Sequence, residues 1–227
     1  MIPKVIYQTW HTKILPDGIS DSIRRMMSLN PDYRHTLFDD TDMLEFVEAN
    51  FRGDIARAYG MLRIGAAKAD LWRYLVMFKY GGVYLDIDSA IVRHLGTLIS
   101  DADDMIITRE RNAGFFVQWC IISAPGCELI EQCIAMCVAN ILNYRGQSVV
   151  ELTGPGVFAR AVNEVFAADD AWSLPSFCER QRNGFQYRIY GTDYEDFCIF
   201  KLPCAWDLYK DRMWWVEEQT IRSAVGT

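Results

Sequence analysis

The chain has 227 residues, 51% hydrophobic and 23% charged, as expected of one soluble globular domain over 1–227 with a sizeable core. The net charge of −7 argues against nucleic-acid binding, which needs basic surface, and against a polybasic membrane patch. No stretch reaches the roughly 18 apolar residues of a membrane span, and the opening Met-Ile-Pro-Lys lacks a basic segment followed by a long apolar one; a cytoplasmic location is the expectation.

Pro3 to Trp10 reads as a buried first strand. Ile19 to Leu29 reads as an amphipathic helix with Ser20 or Asp21 as caps. Asn30-Pro31-Asp32 is a turn, and Tyr33 to Phe38 a second strand closed by Asp39-Asp40, an acidic pair read as a cap or turn, the alternative being contact with a ligand. Thr41 is expected to cap a helix over Asp42 to Asn50, with Glu45 in a capping arrangement. Arg52 to Leu62 is a connector or short helix.

A helix follows over Ile64 to Tyr80. At about 100° per residue, Lys68, Lys79 and Trp72 share the side expected to lie nearer solvent. Asp70 and Arg73, one turn apart, fall within the apolar arc. A charged pair there is costly unless it is paired or faces a polar cavity, so it is either a structural ion pair or part of a site.

Gly81-Gly82 turns the chain into Val83-Tyr84-Leu85-Asp86-Ile87-Asp88. Asp86 and Asp88 share one face of a strand, or converge at its end. Two carboxylates so close repel unless a cation lies between them, and oxygen ligands suit Mg²⁺ or Mn²⁺. Asp70, Arg73, Asp86 and Asp88 are therefore expected in one cleft. The alternative is a solvated strand end with two loop acids.

Beyond that strand, Ala90-Ile91-Val92 continues into His94 and a loop, and Met105 to Ile107 and Phe115 to Ile122 read as strands around a turn. Glu128 to Leu142 is a buried apolar helix, and Thr153-Gly154-Pro155-Gly156 precedes another over Val157 to Phe166. The glycines there allow close approach of a ligand, and the helix start suits an anion; a plain loop and cap is the other reading. Strands alternating with helices predict an α/β fold with a mostly parallel sheet flanked by helices. The seven cysteines form no Cys-x-x-Cys pair and read as reduced, mostly buried thiols. The C-terminal third is aromatic, with Phe177, Phe185, Tyr187, Tyr194, Phe197, Tyr209 and Trp214.

Ala66-Ala67-Lys68-Ala69-Asp70-Leu71-Trp72-Arg73-Tyr74, followed by Tyr80-Gly81-Gly82-Val83-Tyr84-Leu85-Asp86-Ile87-Asp88, resembles the signature of the Asp-x-Asp sugar glycosyltransferases of family 32. That family includes yeast-type initiating mannosyltransferases, capsular polysaccharide transferases and, more distantly, glucosylating clostridial toxins. The resemblance implies a GT-A-type, Rossmann-like fold. It implies a retaining, metal-dependent hexosyltransferase with a nucleotide-sugar donor, UDP first and GDP second, and a glycan or glycoprotein acceptor.

The same resemblance assigns site residues. Asp86 and Asp88 become metal ligands for Mn²⁺ or Mg²⁺, with Asp86 and Tyr84 also near the ribose. Asp70 and Arg73 become catalytic and donor-binding. The opening Gln8-Thr9-Trp10 matches a family start, with Trp10 against the base or simply in the core, and Tyr7 where His is usual. Gln118 stands where the family has a donor-binding Asn. Phe200 and Ala205 replace a His and a Ser near the metal, leaving Asp207 as the nearest acid.

Two alternatives remain at this level. A haloacid-dehalogenase-like phosphatase also carries Asp-x-Asp after an apolar strand, but continues with Thr or Val where Ala90 stands, and places the motif after its first strand. A non-catalytic carbohydrate-binding protein would not need a metal site.

Overall fold

Successive residues of a strand point to opposite faces, and here both faces are buried. Ile6, Val83, Leu85, Ile106 and Ile122 enter one hydrophobic cluster, while Tyr7, Tyr84, Ile107 and Ile121 enter another. The sheet is thus a middle layer. The computed structural model describes residues 1–166, 179–182, 184–190, 197–209, 215–221 and 223–226. Phe177, Tyr194 and Trp214 lie outside the described residues.

In chain order the elements are β1 (Val5–Thr9), α1 (Asp17–Leu29), β2 (Arg34–Phe38), α2 (Asp40–Asn50), α3 (Asp54–Met61), α4 (Gly65–Tyr80) and β3 (Gly82–Leu85). Then come β4 (Ala90–Ile91), β5 (Met105–Thr108), β6 (Cys120–Ser123), α5 (Glu128–Leu142), α6 (Val149–Leu152) and α7 (Pro155–Phe166). The last are β7 (Glu179–Arg182), β8 (Phe185–Tyr190), β9 (Cys198–Ile199), α8 (Trp206–Tyr209) and α9 (Trp215–Ile221). The main sheet runs β2-β1-β3-β6-β5-β8-β7, and β4 pairs with β9 in a separate ribbon. β1 is parallel to β2 and β3, and β5 is parallel to β8; β6 and β7 run against their neighbours. Five strands therefore share one direction, in line with the mostly parallel α/β expectation. Helices α2 to α7 supply the cluster on one face, and α1 with β4 and β9 supplies the other.

α4 is the axis of the packing. Residues Asp70 to Met77 are all buried, because α2, α5, α6 and β3 contact it from different sides. This overturns the expectation that Trp72 faces solvent. Trp72 is fully buried, its ring 4.8 Å from Phe38 and 5.8 Å from Phe46. Helical periodicity assumes one wet face, and a helix covered on all sides has none.

The helix ends at Gly81, whose N–H donates to the Met77 carbonyl. Gly81 has φ 61° and Gly82 φ 114°, a region that disfavours a Cβ. A Cβ on Gly81 would also meet Pro125 N at 2.6 Å, and one on Gly82 the Val5 carbonyl at 2.7 Å. The pair lets α4 turn into β3 beside β1.

Several local boundaries differ from expectation. α1 begins a turn earlier than Ser20, after Pro16 and without a side-chain cap. α2 is capped by Asp39, not Thr41: Asp39 accepts from the Thr41 and Asp42 N–H groups, and the Asp42 side chain accepts from Asp39 N–H. The shorter carboxylate one turn earlier outcompetes Glu45 in closing the box. β6 starts only at Cys120, although Phe116 forms a bridge to Arg109. Ala90-Ile91, expected only to lead into a loop, forms a short strand paired with β9. Of the cysteines among the described residues, five are buried and Cys204 is partly so, all free.

Candidate active site

β3 delivers Asp86 at its C-terminal end, where the backbone turns: Asp86 N–H donates to Trp119 carbonyl at 2.8 Å, and Ser89 N–H donates to Asp86 carbonyl at 3.0 Å. The turn brings Asp86 and Asp88 to the floor of a cleft of about 600 Å³. Ligand crevices at the carboxyl ends of strands are the general rule for open α/β sheets.

The cleft also receives Asp70 and Arg73 from α4. Arg73 Nη2 lies 3.0 Å from Asp70 Oδ1 and 3.2 Å from Asp86 Oδ1. Its other nitrogens donate to the Ala69 and Gln118 carbonyls, and its guanidinium carbon lies 4.5 Å from the Tyr84 ring centroid. The two carboxylates, with the Tyr84 and Tyr74 rings, push the Arg73 pKa up despite burial, which opposes the charge. Asp70 accepts from Thr153 Oγ1 at 3.0 Å and from Gln118 Nε2 at 3.2 Å. Burial raises the Asp70 carboxyl to about 6, against the lowering pull of Arg73. The pair is therefore both a buried ion pair and a wall of the cleft.

Tyr84 donates its hydroxyl to Asp86 Oδ1 at 2.7 Å. Asp88 is more enclosed; it accepts from Tyr209 hydroxyl at 3.2 Å, with Ser89 Oγ at 3.4 Å from its other oxygen. Burial lifts the Asp88 carboxyl to about 6, the charge of Asp86 adds to the lift, and Lys201, Tyr209 and Ser89 oppose it. No group of three or more His, Cys, Asp or Glu suited to a metal exists among the described residues. Two carboxylates are nonetheless the donor set that a hard cation uses when substrate phosphates and water complete its shell.

Thr9 and Trp10 line the cleft, as does Gln118. Gln118 also bonds Tyr74 hydroxyl at 2.7 Å, so its longer amide spans from the cleft into the wall behind Asp70. Gln8 does not reach the cleft: it is 0% exposed. Its Nε2 donates to the Asp86 carbonyl at 3.1 Å, and its Oε1 lies 2.9 Å from His35 Nε2. β-strand alternation sends Gln8 into the layer behind, where it holds the Asp-x-Asp backbone in place of a ligand.

Asp207 is exposed and does not line the cleft. Tyr209, on the same short helix, comes in its place, and its ring stands edge-on to Trp10 at 5.8 Å. Sequence reasoning named Tyr209 only among the aromatics, and missed Glu110, Trp119 and Lys201 at the rim. Trp119 Nε1 donates to Glu110 at 2.7 Å, and its ring stacks on Phe200 at 4.8 Å. Glu110 and Trp119 meet across a nine-residue separation that no motif marks, and Phe200 and Lys201 follow β9 from far along the chain. The glycines of 153–156 pack on α6, not on the cleft: a Cβ at Gly154 would meet the Val149 carbonyl at 3.0 Å, and one at Gly156 the Glu151 carboxylate at 2.7 Å.

No helix among the described residues is long and apolar enough to cross a membrane. Residues 16–112 match the family described as glycosyltransferase sugar-binding region containing DXD motif. The chain is 35% identical over 98 residues to inositol phosphoceramide mannosyltransferase 3 of Schizosaccharomyces pombe, covering 43% of this chain and 27% of that protein. It is 30% identical over 196 residues to the initiation-specific alpha-1,6-mannosyltransferase of the same yeast, covering 71% of this chain and 48% of that protein. The chain thus spans about half or less of the length of these relatives. Among solved structures, PaToxG glycosyltransferase superposes with a TM-score of 0.59 at 22% identity, covering 72% of this chain and 69% of that one, a likeness of fold. The segment that matches the glycosyltransferase sugar-binding region, residues 16–112, is the one that holds α4 and the Asp-x-Asp turn, so the similarity falls on the residues that build the cleft.

Proposed function

We propose that the chain is a metal-dependent, retaining glycosyltransferase that moves a hexose from a nucleotide-sugar donor to a glycan or glycoprotein acceptor. The observation that carries this reading is the convergence of Asp70, Arg73, Asp86 and Asp88 on one cleft at the end of β3. The similarity to yeast mannosyltransferases favours mannose as the sugar.

Asp86 and Asp88 would hold Mn²⁺ or Mg²⁺, which supplies Lewis-acid stabilisation of the departing diphosphate. Arg73 holds the Asp70 and Asp86 carboxylates at fixed positions, so that they accept hydrogen bonds from the donor's hydroxyls without reorganising. Trp10, at the cleft wall, offers a face to the base. The bond from the anomeric carbon to the phosphate oxygen breaks, and its electron pair leaves with the diphosphate. The acceptor oxygen bonds that carbon on the same face, and its proton passes to the departing phosphate. A phosphatase fits less well, since the Asp-x-Asp turn lies within the segment that matches a glycosyltransferase sugar-binding region.

Calorimetric titration of UDP, GDP and their hexose conjugates, with Mn²⁺ and then with EDTA, tests this reading. Metal-dependent binding of one nucleotide sugar, with slow release of its sugar, is expected. Absence of nucleotide binding, with hydrolysis of a phosphate ester, would overturn it.

A further inference from the structure

Arg73, the buried cation of the cleft, is committed to this protein's own groups. Its nitrogens contact Asp70, Asp86 and the carbonyls of Ala69 and Gln118. The other Lys or Arg lining the cleft, among the described residues, is Lys201. Lys201 is also the one non-glycine residue with positive φ among them, at 55°. An L-residue with a Cβ is costly there, and such outliers persist where the surroundings over-determine them.

The surroundings do so. On one side, Leu202 N–H donates to the Asp88 carbonyl at 2.7 Å. On the other, the Phe200 ring stacks on Trp119 at 4.8 Å and 17°, and Ile199 pairs with Ala90 just past the Asp-x-Asp turn. Leu202 is thus tied to the loop that carries Asp88, and Phe200 to Trp119. The Lys201 ammonium lies 5.7 Å from the Phe200 ring centroid, a cation held against an aromatic face. Its charge reaches Asp88, whose proton affinity it lowers. The stacked pair thus carries an ammonium on the wall of the cleft that Asp88 also lines.

We propose that Lys201 is a catalytic residue that contacts the diphosphate of the donor, and that Phe200, seated on Trp119, is the positioning residue that presents its ammonium. The proposal rests on the glycosyltransferase reading above. As the glycosidic carbon–oxygen bond breaks and its electron pair moves to the phosphate oxygen, the ammonium donates hydrogen bonds to that phosphate and keeps its own proton. The strained backbone is retained because a glycine, which would relax it, has no ammonium to offer.

The test compares the wild type with Lys201→Gly, Lys201→Met, Lys201→Arg and Phe200→Leu. Binding of UDP, UMP, GDP and GMP is measured by calorimetry with Mn²⁺, alongside Tm. Lys201→Gly is expected to raise Tm while weakening the preferred nucleoside diphosphate roughly tenfold to a hundredfold, with the matching monophosphate changed much less. Lys201→Met should lose the same diphosphate preference, Lys201→Arg should regain most of it, and Phe200→Leu should lose part. A drop in Tm for Lys201→Gly with unchanged diphosphate affinity would make Lys201 a structural neighbour of Asp88 and overturn the proposal. Equal losses for mono- and diphosphates would overturn it as well. A wild type that binds no nucleotide would overturn the glycosyltransferase reading and this proposal together, whereas a wild type that binds and variants that bind equally would overturn this proposal alone.

Discussion

The Arg73 guanidinium meets the Asp86 carboxylate at 3.2 Å, and that contact ties the central helix to the turn carrying the two acids of the motif. Removing the cation leaves Asp70 buried and unpaired beside the charge of Asp86. Breaking such a buried pair typically costs about 3–5 kcal/mol. Arg73→Ala should therefore lower Tm sharply and abolish donor binding even where the protein still folds. Thermal melts with and without nucleotide sugar check this; a variant that is destabilised but binds donor normally would reduce the pair to a structural role.

Asp88→Asn is expected to separate stability from function. The buried carboxylate ionises against its surroundings, its pKa lifted from 3.8 to about 6. An amide removes that cost, so the metal-free variant should gain on the order of 1–3 kcal/mol at neutral pH. It should also lose metal-dependent nucleotide binding. Chemical denaturation in EDTA and titration with Mn²⁺ provide the two readouts.

The same lift sets a pH dependence. Asp70 and Asp88 both move from 3.8 to about 6 on folding. Their contribution favours the folded state fully below pH 3.8 and is lost as the pH rises through 6. In EDTA, the slope of wild-type stability between pH 4 and 6 should thus be more negative than that of Asp88→Asn. Identical slopes would show that Asp88 keeps an ordinary carboxyl in the folded protein.

Gln118 joins Asp70, Tyr74 and the Thr153 carbonyl through one amide nitrogen. Gln118→Asn pulls that amide back by one methylene and leaves Asp70 with one donor fewer. A loss of about 1–3 kcal/mol is expected, together with weaker donor binding. Urea denaturation and donor titration of the variant decide it, and unchanged values in both would remove Gln118 from the site.

Trp10 lines the cleft edge-on to Tyr209 at 5.8 Å. Trp10→Ala should weaken nucleotide binding roughly threefold to tenfold, and Trp10→Phe should retain most of it. Quenching of Trp fluorescence by the nucleotide, absent from Trp10→Phe, would place the base on this ring.

Much of the site was legible in the sequence because its parts are local. Asp70 and Arg73 are one helical turn apart, Gly81 and Gly82 demand a turn, and Asp86 and Asp88 follow within a few residues; backbone geometry alone brings them near one another. Alternating strands and helices likewise foretold the α/β layers. The rest depended on contacts between distant segments. Trp72 looked wet because periodicity is blind to a helix covered on every side, and Gln8 looked like a ligand until the strand's alternation put it behind the sheet. The Thr153 hydroxyl reaches Asp70 across 83 residues, and the Tyr209 hydroxyl reaches Asp88 across 121. Lys201 enters the cleft only because β9 pairs with β4 beside the acidic turn. Spacing along a chain encodes what one helix or strand places together, and only the packing of separate elements chooses which remote side chains close around them.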